Sequence, residues 1–351
     1  MRYGALYEKL LDETAAADIA WGRLRGARVM ITGASGLIGS FLTDLLMARS
    51  ARFDGQISVA ACVRGVEAGR ARFAPYAESP NFELVQYDVT RPFPGQDEFD
   101  YIVHAASNAS PAAFSADPAG TLTGIVEGTR NVLELAREKR ARRVLVVSTG
   151  EIYGRLPPEE IPTREENLGW IDVLSPRSAY PAGKRAAETL TCAYHAQHGV
   201  EGVIARPCHV YGPTAAARDN RAATQFLLDA AAGRDIVMKS PGLQTRSYLH
   251  VADCALALIA ILLEGAAARA YNVASPDSVL TIAGFAGLCA QAGGARVVFQ
   301  LPDDAEKRGY APTQPQVLDA SALGALGFSA RFAPAEGIRG TVDILRQGLY
   351  A

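Results

Sequence analysis

Cysteine is scarce and scattered in this 351-residue sequence: Cys62, Cys192, Cys208, Cys254 and Cys289 are odd in number, far apart and set in apolar stretches. That pattern excludes a disulfide framework and any zinc-ligand spacing, so no metal is expected. It leaves reduced, buried thiols of the kind found in the cytoplasm. A surplus of one charge is lacking as well. With 35 basic and 37 acidic residues the formal net charge is −2, so nothing calls for a nucleic acid or an acidic membrane as partner. No apolar run reaches the roughly 18 residues of a membrane span. The longest, Ala255–Leu263, is expected to be a buried helix. The segment Met1–Asp18 carries Glu8, Asp12, Glu13 and Asp18, unlike a targeting peptide. Its Leu6, Leu10 and Leu11 recur at helical spacing and predict an amphipathic helix. No internal repeat or low-complexity segment is evident.

What is present is ample core material, 49% hydrophobic residues, arranged in alternation. Short apolar runs at Val29–Thr32, Ile57–Val63, Phe82–Gln86, Tyr101–Ala105, Val144–Ser148 and Val203–Arg206 read as strands. Helical patterns at Leu37–Arg49, Leu122–Lys139 and Ala179–His198 lie between them. Such alternation predicts an α/β fold, a doubly wound parallel sheet with helices on both faces. Beyond about residue 212 the pattern loosens, with helices near Ala223–Ala232 and Ala252–Leu263 and a polar, Pro-rich stretch from Pro302 to Gln316. The expected organisation is a helical extension over 1–26, a dinucleotide-binding domain over 27–210 and a smaller substrate lobe over 211–351. At least the Ala252–Leu263 helix of that lobe is expected to return to the main sheet.

Directly after the first strand stands Thr32-Gly33-Ala34-Ser35-Gly36-Leu37-Ile38-Gly39. A glycine-rich strand–turn–helix of this spacing is the Rossmann-type cradle for a pyrophosphate. The glycines permit the tight turn and the close approach of the phosphates, and the helix N-terminus favours the anion. The second strand ends Cys62-Val63-Arg64, without the acid that usually grips the ribose of NAD. Arg64 is therefore either the reader of an NADP 2′-phosphate or a solvated surface residue. Asp88 with Val89, after the third strand, is a candidate for the adenine, the alternative being a turn cap.

Tyr180 and Lys184 stand four residues apart in Tyr-Pro-Ala-Gly-Lys and share a helix face. A tyrosine has an ordinary pKa near 10. The adjacent ammonium and the positive charge of a bound nicotinamide are expected to lower it and make the phenolate a usable base. The run Ser148-Thr149-Gly150-Glu151-Ile152-Tyr153-Gly154 closes a strand at the carboxyl edge of the sheet, where ligands bind, and Thr149 can hydrogen-bond the reacting hydroxyl.

With His104-Ala105-Ala106-Ser107, Arg206 to Pro213, Gln244-Thr245-Arg246-Ser247-Tyr248 and Tyr271-Asn272-Val273 following in order, the chain resembles the extended short-chain dehydrogenase/reductase family. The likeness is to its nucleotide-sugar epimerases, dehydratases and decarboxylases. The stretch around Arg177, Tyr180 and Lys184 is most similar to UDP-glucuronate decarboxylases. The resemblance implies a tightly bound NAD, with NADP left open by Arg64, a nucleotide-diphosphate sugar as substrate, and a homodimer through two helices. It implies that Tyr180 takes the proton of the sugar 4-hydroxyl, Lys184 holds the nicotinamide ribose, and Thr149 orients the 4-oxygen. Ala105, Ala106 and Ser107 lie against the cofactor. Ser107, Thr149, Gly150, Glu151, His209, Arg221, Arg246 and Arg308 lie against the substrate, and Glu151 is either a further catalytic group or a carboxylate tied up by a backbone or Arg hydrogen bond.

The sequence also departs from that pattern. Gly150-Glu151 replaces the Asp-Glu of dehydratases and the Ser-Glu of decarboxylases, removing two specialised side chains and leaving room for a bulkier sugar. His209 replaces an Asn and Ile125 a helix Asn. Arg246 offers a planar fork suited to a diphosphate or a carboxylate, and Trp21 and Trp170 are expected to pack. These departures favour an epimerase working through a 4-keto intermediate and hydride return. A decarboxylase or dehydratase with the same first step is the alternative, and an NADPH-dependent 4-ketoreductase a further one. A non-catalytic dinucleotide sensor would be expected to lack the Tyr180–Lys184 pair.

Overall fold

The computed structural model describes residues 3–53, 55–109, 111–216, 219–300 and 314–349. Seven strands form one parallel sheet: β1 (Arg28–Thr32), β2 (Ser58–Val63), β3 (Phe82–Gln86), β4 (Tyr101–His104), β5 (Arg143–Val147), β6 (Gly202–Pro207) and β10 (Ala270–Val273). Their spatial order is β10-β6-β5-β4-β1-β2-β3, with every neighbour parallel. The inner strands are buried along nearly their whole length, as a sheet covered on both faces requires. The chain order reverses between β1 and β4, and in such sheets the crevice beyond that switch point takes the ligand.

The helices on the two faces include α2 (Leu37–Arg52), α3 (Val66–Arg72), α4 (Pro111–Ala116), α5 (Pro118–Glu138), α6 (Ala179–His198) and α8 (Val251–Glu264). Asp117 caps α5 by accepting from Gly120 N at 2.9 Å, with Pro118 in the first turn. Gly199 ends α6 in the left-handed conformation, φ +69°. Helix α8, Asp253 aside, is apolar all round and buried from Val251 to Leu263, because it packs on β5 and β6 and alongside α2. Both α8 and β10 thus belong to the main sheet although they follow residue 211.

The remaining C-terminal elements build a second core. They are α7 (Ala222–Ala231), α9 (Ile282–Gly293) and α11 (Pro334–Gln347), the last preceded by the one-turn helix α10 (Ser321–Gly324). Two small sheets join them: β7 (His209–Tyr211), β9 (Thr245–His250) and β11 (Val279–Thr281) in one, β8 (Ile236–Met238) and β12 (Val297–Phe299) in the other. Phe226, Leu227, Phe285, Ile338 and Val342 fill the space between them.

The N-terminal helix α1 (Ala5–Ala15) is tied to α2 by a buried polar knot. The Tyr3 and Tyr7 hydroxyls donate to the fully buried Asp44 carboxylate at 2.7 and 2.5 Å, and Arg72 closes the group as its cation. A buried carboxylate needs such partners, since desolvation without them costs several kcal/mol. Among the described residues no helix is long and apolar enough to cross a membrane.

Candidate active site

The turn from β1 into α2 is built at the crevice. Gly33 has φ +68°, and a Cβ there would lie 2.8 Å from the Ala105 carbonyl oxygen and from the Ala106 backbone. The exit of β4 therefore rests directly on the turn. A Cβ on Gly39 would come within 2.3 Å of the Gly33 carbonyl oxygen, so α2 packs its first turn against the same loop. Leu37 is buried and Ile38 half-buried, which fixes the helix, whereas Ser35 and Gly36 are exposed at the rim. No side chain caps this helix start, so its first amides point into the crevice without a side-chain acceptor. A glycine-floored cradle at the N-terminus of a long helix fits the pyrophosphate of a dinucleotide. In Gly39→Ala the new methyl meets backbone rather than a yielding side chain. At about 1–3 kcal/mol of overpacking, dinucleotide affinity should fall about 5- to 150-fold by fluorescence titration, and an unchanged affinity would discount the cradle.

Arg64 is exposed just beyond β2 and Asp88 is exposed just beyond β3. Asp88 caps its own turn: its Oδ1 accepts from Thr90 N at 3.0 Å and from Thr90 Oγ1 at 2.9 Å. Those bonds hold its pKa down, with a smaller contribution from the Arg64 charge. The two residues and half-buried Val89 thus stand at one end of the crevice.

At the centre of the crevice, β5 and α6 bring the candidate reacting groups together. Tyr180 and Lys184 are both buried. Lys184 Nζ donates to the Val147 carbonyl at 2.7 Å and lies 6.0 Å from the centre of the Tyr180 ring. Phe114 stacks on Tyr180 at 5.3 Å and 13°, and Ile125 completes an apolar wall behind the phenol. Thr149 and Ser107 stand close enough to the Tyr180 hydroxyl for each to favour its charged form. Thr149 also accepts from Glu151 N at 3.2 Å, which shapes the turn carrying Gly150 and Glu151.

The sequence leads one to expect that Lys184 and a bound nicotinamide lower the Tyr180 pKa; the protein's own groups do not lower it. Burial and the Glu151 charge push it up, and Thr149, Arg221 and Ser107 offset only part of the rise. The ammonium expected to do the lowering is itself desolvated, and burial brings Lys184 down to about 8. The Glu151 side chain opens into the cleft, yet protein surrounds it closely enough to raise its pKa against the opposing charges of Arg177 and Arg246.

On the substrate side, His209 on β7 pairs with Tyr248 on β9. The Nδ1 of His209 and the Nε of Arg246 are both buried without a hydrogen-bond partner. Burial first, then Arg246 and Arg221, lower the His209 pKa to about 3, so the imidazole is neutral. Arg246 Nη2 donates to Gln244 at 2.8 Å. Arg221 pairs with Asp219 at 2.5 Å, while its charge still reaches Tyr180 and His209. Arg308 lies outside the described residues, as does most of the Pro302–Gln316 stretch. Gly150 does not leave the expected room: a Cβ there would lie 3.3 Å from Leu318, whose side chain fills that direction. Trp21 packs in the core, but Trp170 is 58% exposed, with Arg155 over its ring.

Three features of the site escape sequence reading. A buried chain of polar groups underlies the reacting residues: Ser148 Oγ donates to Glu188 at 2.5 Å, Arg206 Nη2 donates to Glu188 at 2.7 Å, and Arg206 Nη1 donates to Tyr153 at 2.9 Å. Tyr153 in turn donates to Asn272 at 2.5 Å. Burial lowers the Arg206 pKa, and the Glu188 bonds more than reverse this. Leu318 comes from the tail with no motif to announce it. Arg177, one turn before Tyr180, is near enough for its charge to act on Glu151; only its spacing from Tyr180 signals it. Among the described residues no cluster suited to a metal ion exists.

With this geometry in place, comparison with known proteins is informative. The model of a family described as "NAD dependent epimerase/dehydratase family" matches residues 29–274. UDP-glucuronic acid decarboxylase 1 of Xenopus tropicalis is 35% identical over 92% of this chain and 73% of its own. UDP-glucuronic acid decarboxylase 6 of Arabidopsis thaliana is 36% identical over 71% and 69%. Among solved structures, DesIV (dTDP-glucose 4,6-dehydratase) of Streptomyces venezuelae with NAD and TYD bound superposes with a TM-score of 0.75 at 24% identity, covering 91% of this chain and 97% of that one. The Bordetella bronchiseptica enzyme WbmF in complex with NAD+ superposes with 0.74 at 22%, covering 92% and 94%. These two share the fold.

Proposed function

The chain belongs to the NAD dependent epimerase/dehydratase family, and from that premise we propose that it is an NAD-dependent decarboxylase of a UDP-linked hexuronate, forming a UDP-pentose. The observation that carries the reading is the buried Tyr180 with Lys184 fixed behind it on the Val147 carbonyl, and the Glu151 carboxyl, its pKa raised by burial, near enough for its charge to act on Tyr180. The names of the relatives favour decarboxylation over the epimerisation that the sequence by itself favours. The absence of a side chain at Gly150 has less weight once Leu318 occupies its place.

Gly33, Ser35, Gly36 and Gly39 with Ala105 and Ala106 would hold the pyrophosphate of NAD, and Arg64, Asp88 and Val89 lie toward its adenosine end. Bound NAD supplies the acceptor for the C4 hydride, its later return, and a positive charge that favours the Tyr180 phenolate. Tyr180 takes the C4-hydroxyl proton, Thr149 holds the 4-oxygen in line, and Lys184, pinned by Val147, supports the phenolate. With C4 a ketone, the carboxylate on C5 is β to a carbonyl. The C5–C6 bond breaks, carbon dioxide leaves, and the electron pair passes to C5 and the 4-oxygen. Glu151 holds a proton more readily than an ordinary carboxylic acid does, and we assign it the return of a proton to C5. Tyr180 gives its proton back to the 4-oxygen as the ketone is reduced, so there is no net oxidation. His209, Arg246 and Arg221 face the diphosphate, and α5 and α6, where Leu122 is exposed, are retained as the homodimer faces.

The test is incubation of the purified protein with UDP-glucuronate. Release of carbon dioxide with equal UDP-pentose, without added cofactor, is the expected result. A UDP-hexuronate of inverted configuration with no carbon dioxide would restore the epimerase. Turnover that consumes NADPH would instead point to a ketoreductase and give Arg64 its phosphate.

A further inference from the structure

Arg206 and Arg221 each have a carboxylate partner, Glu188 at 2.7 Å and Asp219 at 2.5 Å. Arg246 has none: among the described residues it forms no ion pair within 4.0 Å. Its Nη2 donates to the side-chain oxygen of Gln244 at 2.8 Å, and its Nε is buried with no hydrogen-bond partner. A buried donor of this kind is costly unless a ligand completes its bonding.

Gln244 is itself held at both ends. Its amide nitrogen donates to the Gln314 carbonyl, and its main-chain carbonyl accepts from Ile282 N at 3.1 Å. A carbonyl oxygen can only accept, so the nitrogen of the Gln244 amide must face Gln314 and the oxygen must face Arg246. Gln314 is fixed in turn, because its side-chain amide pairs both ways with the main chain of Leu156. Leu156 N donates to Oε1 at 3.2 Å, and Nε2 donates to the Leu156 carbonyl at 3.3 Å. Gln316, two residues on, brackets Arg246 along β9: its N donates to Thr245 O and its O accepts from Ser247 N, both at 2.9 Å. The support of the guanidinium thus starts on the loop that leaves the Glu151 turn, crosses the tail and ends at Gln244. No member of it before Arg246 is charged.

The neutrality of that last acceptor has a consequence. A carboxylate in its place would hold the guanidinium more tightly and would cancel its charge. An amide fixes the fork and leaves the charge available. We propose that Gln244 is a positioning residue, which aims Arg246 at the diphosphate of the nucleotide sugar while leaving its charge uncancelled. The proposal rests on the assignment of Arg246 to the diphosphate and adds the residue that sets its reach.

The experiment is calorimetric titration of the full chain with its dinucleotide, using UDP and uridine as probes. Gln244→Glu keeps the shape of the side chain and should weaken UDP about 10- to 100-fold, the range of a lost charged hydrogen bond. Uridine, which has no phosphate, should stay within about twofold. Gln244→Met frees the guanidinium but keeps its charge, and should lose less UDP affinity than Gln244→Glu. A support for the fold alone would give the reverse order, since glutamate keeps the contact with Arg246 and methionine does not. An equal loss for UDP and uridine, or a larger loss in Gln244→Met, would make Gln244 structural and overturn the proposal. Undiminished UDP binding by Gln244→Glu, where Arg246→Met loses it, would overturn Gln244 alone. If Arg246→Met binds UDP as well as the wild type does, the assignment of Arg246 to the diphosphate falls and the proposal with it. Carbon dioxide release from UDP-glucuronate judges the decarboxylase reading separately.

Discussion

Replacing Tyr180 by phenylalanine is expected to cut turnover about 10²–10⁴-fold, the usual contribution of a positioned proton-transfer group, while the protein still folds and still binds dinucleotide. The phenyl ring keeps the stack with Phe114 and the contact with Ile125, so the apolar wall is preserved. What disappears is the hydroxyl that meets Thr149 and Ser107. The predicted signature is a loss in kcat without formation of reduced nicotinamide on mixing with substrate, because hydride cannot leave C4 while its hydroxyl keeps the proton. A variant that still reduced its nicotinamide at a rate near that of the wild type would remove Tyr180 from the chemistry. The burial that raises the free-enzyme pKa of Tyr180 also gives the prediction a pH dependence. Activity should climb with pH through the neutral range, as the population able to act as a base grows, and the Tyr180→Phe residual rate should lack that climb.

The second large effect lies beneath the site. Glu188→Ala should cost about 3–5 kcal/mol of stability, the range for breaking one partner of a buried ion pair. Glu188 accepts from Arg206 through both carboxylate oxygens and from Ser148, and both charged side chains are largely buried, at 8% and 11% exposure. Its removal leaves the Arg206 cation in a low-dielectric interior with only Tyr153 and a backbone carbonyl. The double change Glu188→Leu with Arg206→Met removes both charges and should be much less harmful than Glu188→Ala alone. Denaturant midpoints of the three proteins measure this. A loss under about 1 kcal/mol for Glu188→Ala would mean that water reaches the pair and that the chain from Ser148 to Asn272 is not a structural spine.

Such a network could not be read from the chain, although its members could. Arg206 and Asn272 stand in recognisable motifs, and Glu188 follows the Tyr180–Lys184 pair at helical spacing. Their pairing depends on β6, β10 and α6 meeting behind β5, a matter of sheet order that no local pattern encodes. Six strands and the three long helices between them were legible in the first 210 residues because a parallel sheet buried on both faces needs unbroken apolar runs, whereas the short α3 and α4 were not. The cradle was legible because only glycine tolerates backbone as close as Ala105 comes to Gly33. The tail was less so, since its short strands carry too few residues to show a period.

By itself, then, the sequence determined the sheet, the glycine turn between β1 and α2, and the candidacy of Thr149, Tyr180 and Lys184 as a reacting group, since each of these is written in short motifs whose spacing the backbone geometry enforces. Tertiary structure alone decided the electrostatics. Burial raised the Tyr180 pKa against the protein's own lowering groups, Leu318 closed the space beside Gly150, and Glu188, Arg206 and Tyr153 joined into one buried network. Desolvation and charge balance depend on which distant segments close over a residue, and that is settled only when the chain has folded.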